Sequence, residues 1–508
     1  MINLEDKEII DEKVNSDESV ISDSSNNELP REKKSLAKNS IFMLIYNVLN
    51  VLVPFVYSIY VARVLPEYWI GKVTIAQNIA QYFVILAFLG IPTYGLREIS
   101  KNRGNQEKTN KIFTELFIIN FISSITFATV YFGLICIVPD YRSNMTLFLI
   151  TGSLILFNIL DITWLYEGLE EFGFISLRNL IFKTLSIICL FLFVKSEDDY
   201  LIFAAIHVGC LGFNYITNML FHRKYVKFSF KNLNFKQHMK PILFLVVVNL
   251  AIEIYTLVDV TMIGIFKGEE AVTFYTYASK TQKILLQIIS TFTLVLVPRI
   301  SLLYKENRID EFNKLLSKTL LLIILLSLPM IVGICFVSND LSILLYGESY
   351  YKSASILNVL SLLAFISPIG YLLGSRVLLV TNNEKLMVIP VASGAVVNII
   401  LNAILINTVG VIGAAIASVV SELVVAVIYI LLSHKYFKIN IKISEIIKIL
   451  IALLLMGVYC YLMYRYLEIG IYFKLAIVII GAMGIYFITL LLFKESLVNS
   501  GLNKVLRR

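Results

Sequence analysis

Apolar runs of about twenty residues, separated by short clusters of charge, fill the chain from residue 41 onward. A helix rises 1.5 Å per residue, so each run is long enough to cross a hydrocarbon core about 30 Å thick. The pattern predicts about fourteen membrane-spanning helices, near 41–62, 73–95, 112–138, 145–166, 174–194, 201–221, 241–265, 275–298, 316–338, 354–380, 386–406, 411–432, 446–467 and 472–493. The eighth is the weakest, because Lys280 and Lys283 interrupt its first turns. A membrane β-barrel would instead alternate over short segments. The expected fold class is an all-α integral membrane protein.

Alternate loops differ in their bases, and this predicts orientation. One set holds Arg31 to Lys38, Arg97 to Lys111, Arg223 to Lys240, Arg299 to Lys318 and Lys435 to Lys448. The other offers little beyond Arg63, Lys72, Arg142, Lys195, Lys267, Lys352 and Lys474. The richer set belongs on the cytoplasmic side, and with an even number of spans both termini are expected there, in a bacterial cell membrane. The outward loops are short, the longest being expected around 338–354.

Composition agrees with the pattern. Hydrophobic residues make up 58% and charged residues 16% of the 508, with a mean hydropathy of +0.79, against roughly 45–50% and 25% in soluble domains. A soluble enzyme and a disulfide-stapled secreted domain are excluded. The five cysteines lie inside apolar runs and read as packing residues. Charge is uneven: residues 1–30 carry nine acids and two bases, so a chain of net +8 has +15 beyond them. That acidic, Ser/Asn-rich stretch cannot bury enough apolar area to fold alone and reads as a disordered tail over 1–35. It has no basic region ahead of an apolar stretch, so it is not a cleaved signal peptide. No phosphate-cradling glycine loop and no His-Glu-x-x-His pattern occur, and the four histidines are scattered. No cofactor, no metal and no nucleic-acid partner are expected.

Two echoes suggest duplication. Gly90-Ile-Pro92 with its basic tail ends span two, and Leu296-Val-Pro298-Arg299 with its own ends span eight. Trp164-Leu-Tyr-Glu-Gly-Leu-Glu170 follows span four as Leu378-Leu-Val-Thr-Asn-Asn-Glu384 follows span ten. The expected organisation is a six-helix lobe over 36–230, a second over 231–440, and two further helices within 441–508.

The stretches Tyr60-Val-Ala-Arg63-Val-Leu, Gly71-Lys72, Gly90-Ile-Pro-Thr-Tyr-Gly-Leu-Arg97-Glu98-Ile and Trp164-x3-Gly168-Leu-Glu170-Glu171-Phe resemble the signatures of Wzx-type oligosaccharide flippases. These are polysaccharide-export proteins of the multidrug/oligosaccharidyl-lipid/polysaccharide superfamily. The resemblance covers about residues 36–440, with Pro66 standing where many members carry Gly. It implies a V-shaped pair of six-helix lobes around a cavity that opens alternately to each side. It also implies undecaprenyl-diphosphate-linked oligosaccharide as cargo, with membrane lipids, a polysaccharide polymerase and glycosyltransferases as partners. The alternative within the superfamily is a MATE-like drug exporter coupled to Na+ or H+, for which an acid-lined cavity is expected. An integral-membrane enzyme of polysaccharide assembly is the third class, disfavoured by the short outer loops and the lack of catalytic clusters.

Ionisable groups at bilayer depth cost several kcal/mol unless they meet a partner or water, so each is a functional candidate. The substrate-binding candidates are Lys280, Lys183, Lys283, Arg63 and Arg376. A cation in a wet cavity suits a diphosphate, and arginine offers a planar fork for phosphate oxygens. The resemblance adds that Lys280 follows Tyr-Ala as a cavity-wall base does in related lipid-linked precursor flippases. Each has a plain alternative: Lys183 and Arg376 reaching to an interface, Arg63 anchoring a helix end in the headgroups. For ion coupling the candidates are Asp259 and Glu253 in span seven, which stand about 240° apart around a helix and so do not share a face; a structural ion pair is the alternative. Asn47, Asn50, Gln77, Asn78, Gln81, Asn214 and Asn218 either line a hydrated path or bond neighbouring helices.

Overall fold

The structure is a computed structural model that describes residues 53–294 and 296–500, and there the apolar runs are α-helices. The acidic tail, the basic cluster at 31–38, Asn47 and Asn50 lie outside the described residues. The helices are α1 Val53–Val64, α2 Glu67–Phe88, α3 Ile91–Lys101, α4 Gln106–Ile137, α5 Met145–Phe157, α6 Phe172–Phe193, α7 Tyr200–Phe221, α8 Lys236–Lys267 and α9 Glu269–Leu294. There follow α10 Val297–Lys305, α11 Ile309–Tyr346, the composite run α12 Glu348–Val380, α13 Val388–Val409, α14 Val411–Ser433, α15 Ile443–Tyr466 and α16 Ile471–Leu492. No strand occurs among the described residues. Eleven of these segments are long and apolar enough to cross a membrane. Helices α1, α8 and α9 overlap the other three predicted positions, of which 41–52 lies outside the described residues. Of the best apolar window in each of the eleven, only 22–50% is buried. Most of the apolar surface therefore faces outward, as it must in lipid.

Two expected spans are interrupted. The second breaks at Leu89 and Gly90, both with positive φ, and restarts as α3 with Pro92 in its first turn. Proline suits that place, because the first helical N–H groups have no intrahelical acceptor. In the eighth, α9 runs to Leu294 and α10 starts at Val297 with Pro298 in its first turn. The outer loop expected around 338–354 is also shorter than predicted. Helix α11 runs 38 residues to Tyr346, and its polar Asp340 meets Lys474 of α16 at 3.7 Å instead of ending the helix.

The echo between halves extends to the backbone. After α7, the Lys227 N–H donates to Asn110 Oδ1 at 2.9 Å and the Ser229 N–H to Thr114 Oγ1 at 2.8 Å. After α14, the Lys438 N–H donates to Asn313 Oδ1 and the Asn440 N–H to Ser317 Oγ, both at 2.9 Å. The same two clamps, four residues apart on α4 and on α11, pin an extended segment in each half. The signature stretches pack on one another. A Cβ at Gly95 would lie 2.5 Å from the Trp164 ring, and one at Gly168 would lie 2.8 Å from Ile99. Close approach of α3 and the turn Thr163–Gly168 thus requires glycine at both places. Arg103 clamps the pair, donating to the Gly168 carbonyl at 2.9 Å and pairing with Glu170 at 3.0 Å. Helices α15 and α16 pack on each other and on α11, where the Tyr486 hydroxyl donates to the Leu325 carbonyl at 2.9 Å.

Candidate functional site

The first half meets the second mainly where α2 packs on α8 and α9. Asn78 donates to Thr261 Oγ1 at 2.7 Å and to the Leu257 carbonyl at 3.2 Å, and Tyr82 shares Thr261 at 3.0 Å. Toward the end that the charge count assigns outside, Thr273 donates to the Glu67 carbonyl at 2.6 Å. Gly71 lies directly against the Glu269 carbonyl. Arg63 donates to the Leu344 and Leu345 carbonyls at the C-terminal end of α11, where unpaired carbonyls attract a cation. These contacts form a closed seam. At the opposite end, Tyr94 meets His238 at 2.9 Å, and His238 meets the fully buried Glu115 at 2.7 Å. Gln237 adds a bond to Glu115 at 3.1 Å. This tether fastens the start of α8 to α3 and α4.

Lys280 sits below the seam, half-buried, with its ammonium 4.8 Å from the centre of the Tyr277 ring. It lies within electrostatic reach of His207 on α7. One turn further, Lys283 is exposed and feels the Asp259 and Glu253 carboxylates of α8. Lys283 and both candidate acids therefore come together, with Lys280 one turn away on α9. Above them Tyr277, Tyr346 and Tyr350 close into a cluster with centroids 4.8–5.5 Å apart, and Thr281 bonds Tyr346 at 2.8 Å.

Asp259 is nearly buried, at 7% exposure. It accepts from the Tyr275 and Ser418 hydroxyls, each at 2.5 Å, and from the Asn402 amide at 2.6 Å. Asn402 also donates to Asn398 at 3.0 Å. The pocket is a carboxylate with neutral partners drawn from three other helices, and Asn402 Oδ1 accepts no hydrogen bond among the described residues. The three partners went unnoticed in the sequence. Asn398 and Asn402, four apart in an apolar run, were the available signal. Glu115 and His238 were missed because they lie 123 residues apart.

The other candidates are placed elsewhere. Lys183 is half-buried on α6, on the face that also carries Asn179 and Ser186 and opposite the exposed Leu177, Ile181 and Ile188. Arg376 lies 4.4 Å from the centre of the Tyr371 ring, within a π-helical turn of α12. Arg63 is engaged with carbonyls of the seam. The amides bond neighbouring helices: Asn214 donates to Asn179 at 2.8 Å, and Asn218 to Asp161 at 3.2 Å and Thr163 at 3.1 Å.

An all-α membrane protein with clamped repeats, a seam between halves and buried charges beneath it belongs to the class of membrane transporters. The chain is a member of the polysaccharide biosynthesis protein family, whose model matches residues 36–304; the MatE model also matches residues 245–404. A putative O-antigen transporter of Escherichia coli is 21% identical over 70% of this chain and 86% of its own. A probable low-salt glycan biosynthesis flippase of Haloferax volcanii is 25% identical over 38% of this chain and 40% of its own. Among solved structures, the lipid II flippase MurJ in an inward closed conformation superposes with a TM-score of 0.72. It is 18% identical and covers 91% of this chain and all of its own. An inward-facing MATE multidrug transporter gives 0.63 at 14% identity, over 78% and 97%.

Proposed function

We propose that the protein flips undecaprenyl-diphosphate-linked oligosaccharide from the cytoplasmic to the outer leaflet of a bacterial cell membrane, for surface polysaccharide export. Both termini are taken as cytoplasmic, from the distribution of Lys and Arg. The observation that carries the reading is Lys280, a half-buried base set below a closed seam where the two halves face each other. In that setting an ammonium attracts the diphosphate far more strongly than in bulk water, while the polyprenyl tail stays in the bilayer. The names of the relatives support glycan cargo. The two halves are taken as lobes that rock about this site, opening it alternately. Asp259 is taken as the carboxylate that couples the cycle to H+ or Na+. Its support is a buried acid whose hydrogen-bond partners among the described residues are all neutral, the Ser418 and Tyr275 hydroxyls and the Asn402 amide, so no base is hydrogen-bonded to the charge it carries. A polysaccharide polymerase and glycosyltransferases are the expected functional partners. The exporter reading draws on the MatE match, but two lysines on α9 repel the cationic drugs such a path would carry.

The test is deletion of the gene followed by analysis of lipid-linked intermediates. Complete units are expected to accumulate on the cytoplasmic side, with surface polymer lost. Lys280→Ala should fail to restore export at normal protein level, and Lys280→Arg should restore part of it, since charge survives while the compact ammonium does not. Full export with Lys280→Ala would remove this residue from the site.

A further inference from the structure

A cavity of about 550 Å³ lies alongside the seam, with Asn78 and Thr261 in its wall, and reaches the loops that the charge count assigns outside, within the range of about 300–1,000 Å³ typical of small-molecule sites. Its wall combines the start of α2, the short helix Pro139–Ser143, the end of α8 and the first residue of α9. Tyr68 and Tyr141 supply aromatic residues to the wall, and Asp140 and Glu269 supply acidic ones. Among the described residues neither carboxylate has a hydrogen-bond or ion-pair partner. The one base, Lys72, is already committed: it donates to the Tyr68 hydroxyl at 2.9 Å and lies over the Tyr68 and Trp69 rings at 5.0 and 5.3 Å. Burial first, and the neighbouring Asp140 carboxylate second, push the Tyr141 phenol above its ordinary value, so it remains a donor.

That set of groups is wrong for a phosphate. Two carboxylates outweigh one engaged ammonium, so an anion is repelled. It is right for sugars, whose hydroxyls donate charge-assisted bonds to free carboxylates and whose apolar ring faces pack on aromatic rings. We propose that the cavity is a saccharide subsite on the exit side, receiving sugar residues of the transported glycan once the seam opens. The inference rests on the glycan-flipping reading and names where the sugars go. Glu269 links the two, since its carbonyl is in the seam against Gly71 and the residue also lines the cavity.

The test measures binding to the purified full-length protein in phosphatidylglycerol nanodiscs. One probe is the lipid-linked oligosaccharide that accumulates in the deletion strain, and the other is undecaprenyl diphosphate without sugar. Asp140→Asn with Glu269→Gln, and separately Tyr141→Ala, should weaken the sugar-bearing lipid about tenfold or more and leave the bare lipid unchanged, given the strength of hydrogen bonds to charged groups. Unchanged binding of both lipids in all variants, or equal loss for both in variants of normal melting temperature, overturns the subsite while the flipping reading stands. Wild-type protein that binds neither lipid overturns both. Added phosphatidylethanolamine that competes with the glycan, and ceases to compete once the carboxylates are neutralised, would make the cavity a phospholipid headgroup site and overturn the sugar assignment.

Discussion

Gly71 decides whether the outer seam can close. A Cβ placed there would lie 1.8 Å from the Glu269 carbonyl oxygen, 2.5 Å from its carbon and 2.9 Å from Thr273 Oγ1. The obstacle is backbone, which cannot swing aside as a flexible side chain can, so Gly71→Ala must drive α2 and α9 apart by about 1 Å or more. Overpacking of this kind costs about 1–3 kcal/mol. The contact exists only while the seam is shut, so the cost falls on the closed state and shifts the closed-to-open ratio about 5–150-fold. Ser58, at 1% exposure on α1 and in hydrogen-bond reach of Tyr346, reports the change. In a variant whose five native cysteines are replaced, a cysteine at Ser58 should be shielded from an impermeant thiol reagent applied outside. Adding Gly71→Ala should raise its labelling at least severalfold and depress export, with protein level unchanged. Labelling and export equal to the parent would refute the argument, because the seam would then close without this contact.

Neutralising Asp259 should uncouple transport. Asp259→Asn is expected to remove the dependence of export on a Na+ or H+ gradient, and Asp259→Ala to lower the melting temperature as well, since three donors lose their acceptor at about 1–3 kcal/mol; wild-type export with unchanged ion dependence in Asp259→Asn would end its coupling role. Orientation is checked by cysteines at Lys108, Lys231 and Glu270 in intact cells. The first two should be protected from an impermeant reagent and the third labelled, and the reverse pattern would invert the topology and move the proposed saccharide subsite to the cytoplasmic face.

The helices and their approximate bounds were legible along the chain because lipid imposes a one-dimensional condition, that a segment bury about 20 apolar residues with every backbone group satisfied within itself. The paired helix starts at Pro92 and Pro298 were visible for a similar local reason, a proline opening a helix. Tertiary structure decided everything that depends on distance between segments. Lys280 and Lys283 stood out as charges within a span, and only packing brought Asp259 and Glu253 of α8 within electrostatic reach of Lys283. Asp259 was one of several acids until Tyr275, Asn402 and Ser418 were seen to converge on it. Arg63 read as readily as a phosphate ligand, and only the end of α11, some 280 residues away, shows it engaged with carbonyls. A buried charge is stable only with its partners, and partners on other helices are set by packing, which periodicity along one segment does not encode.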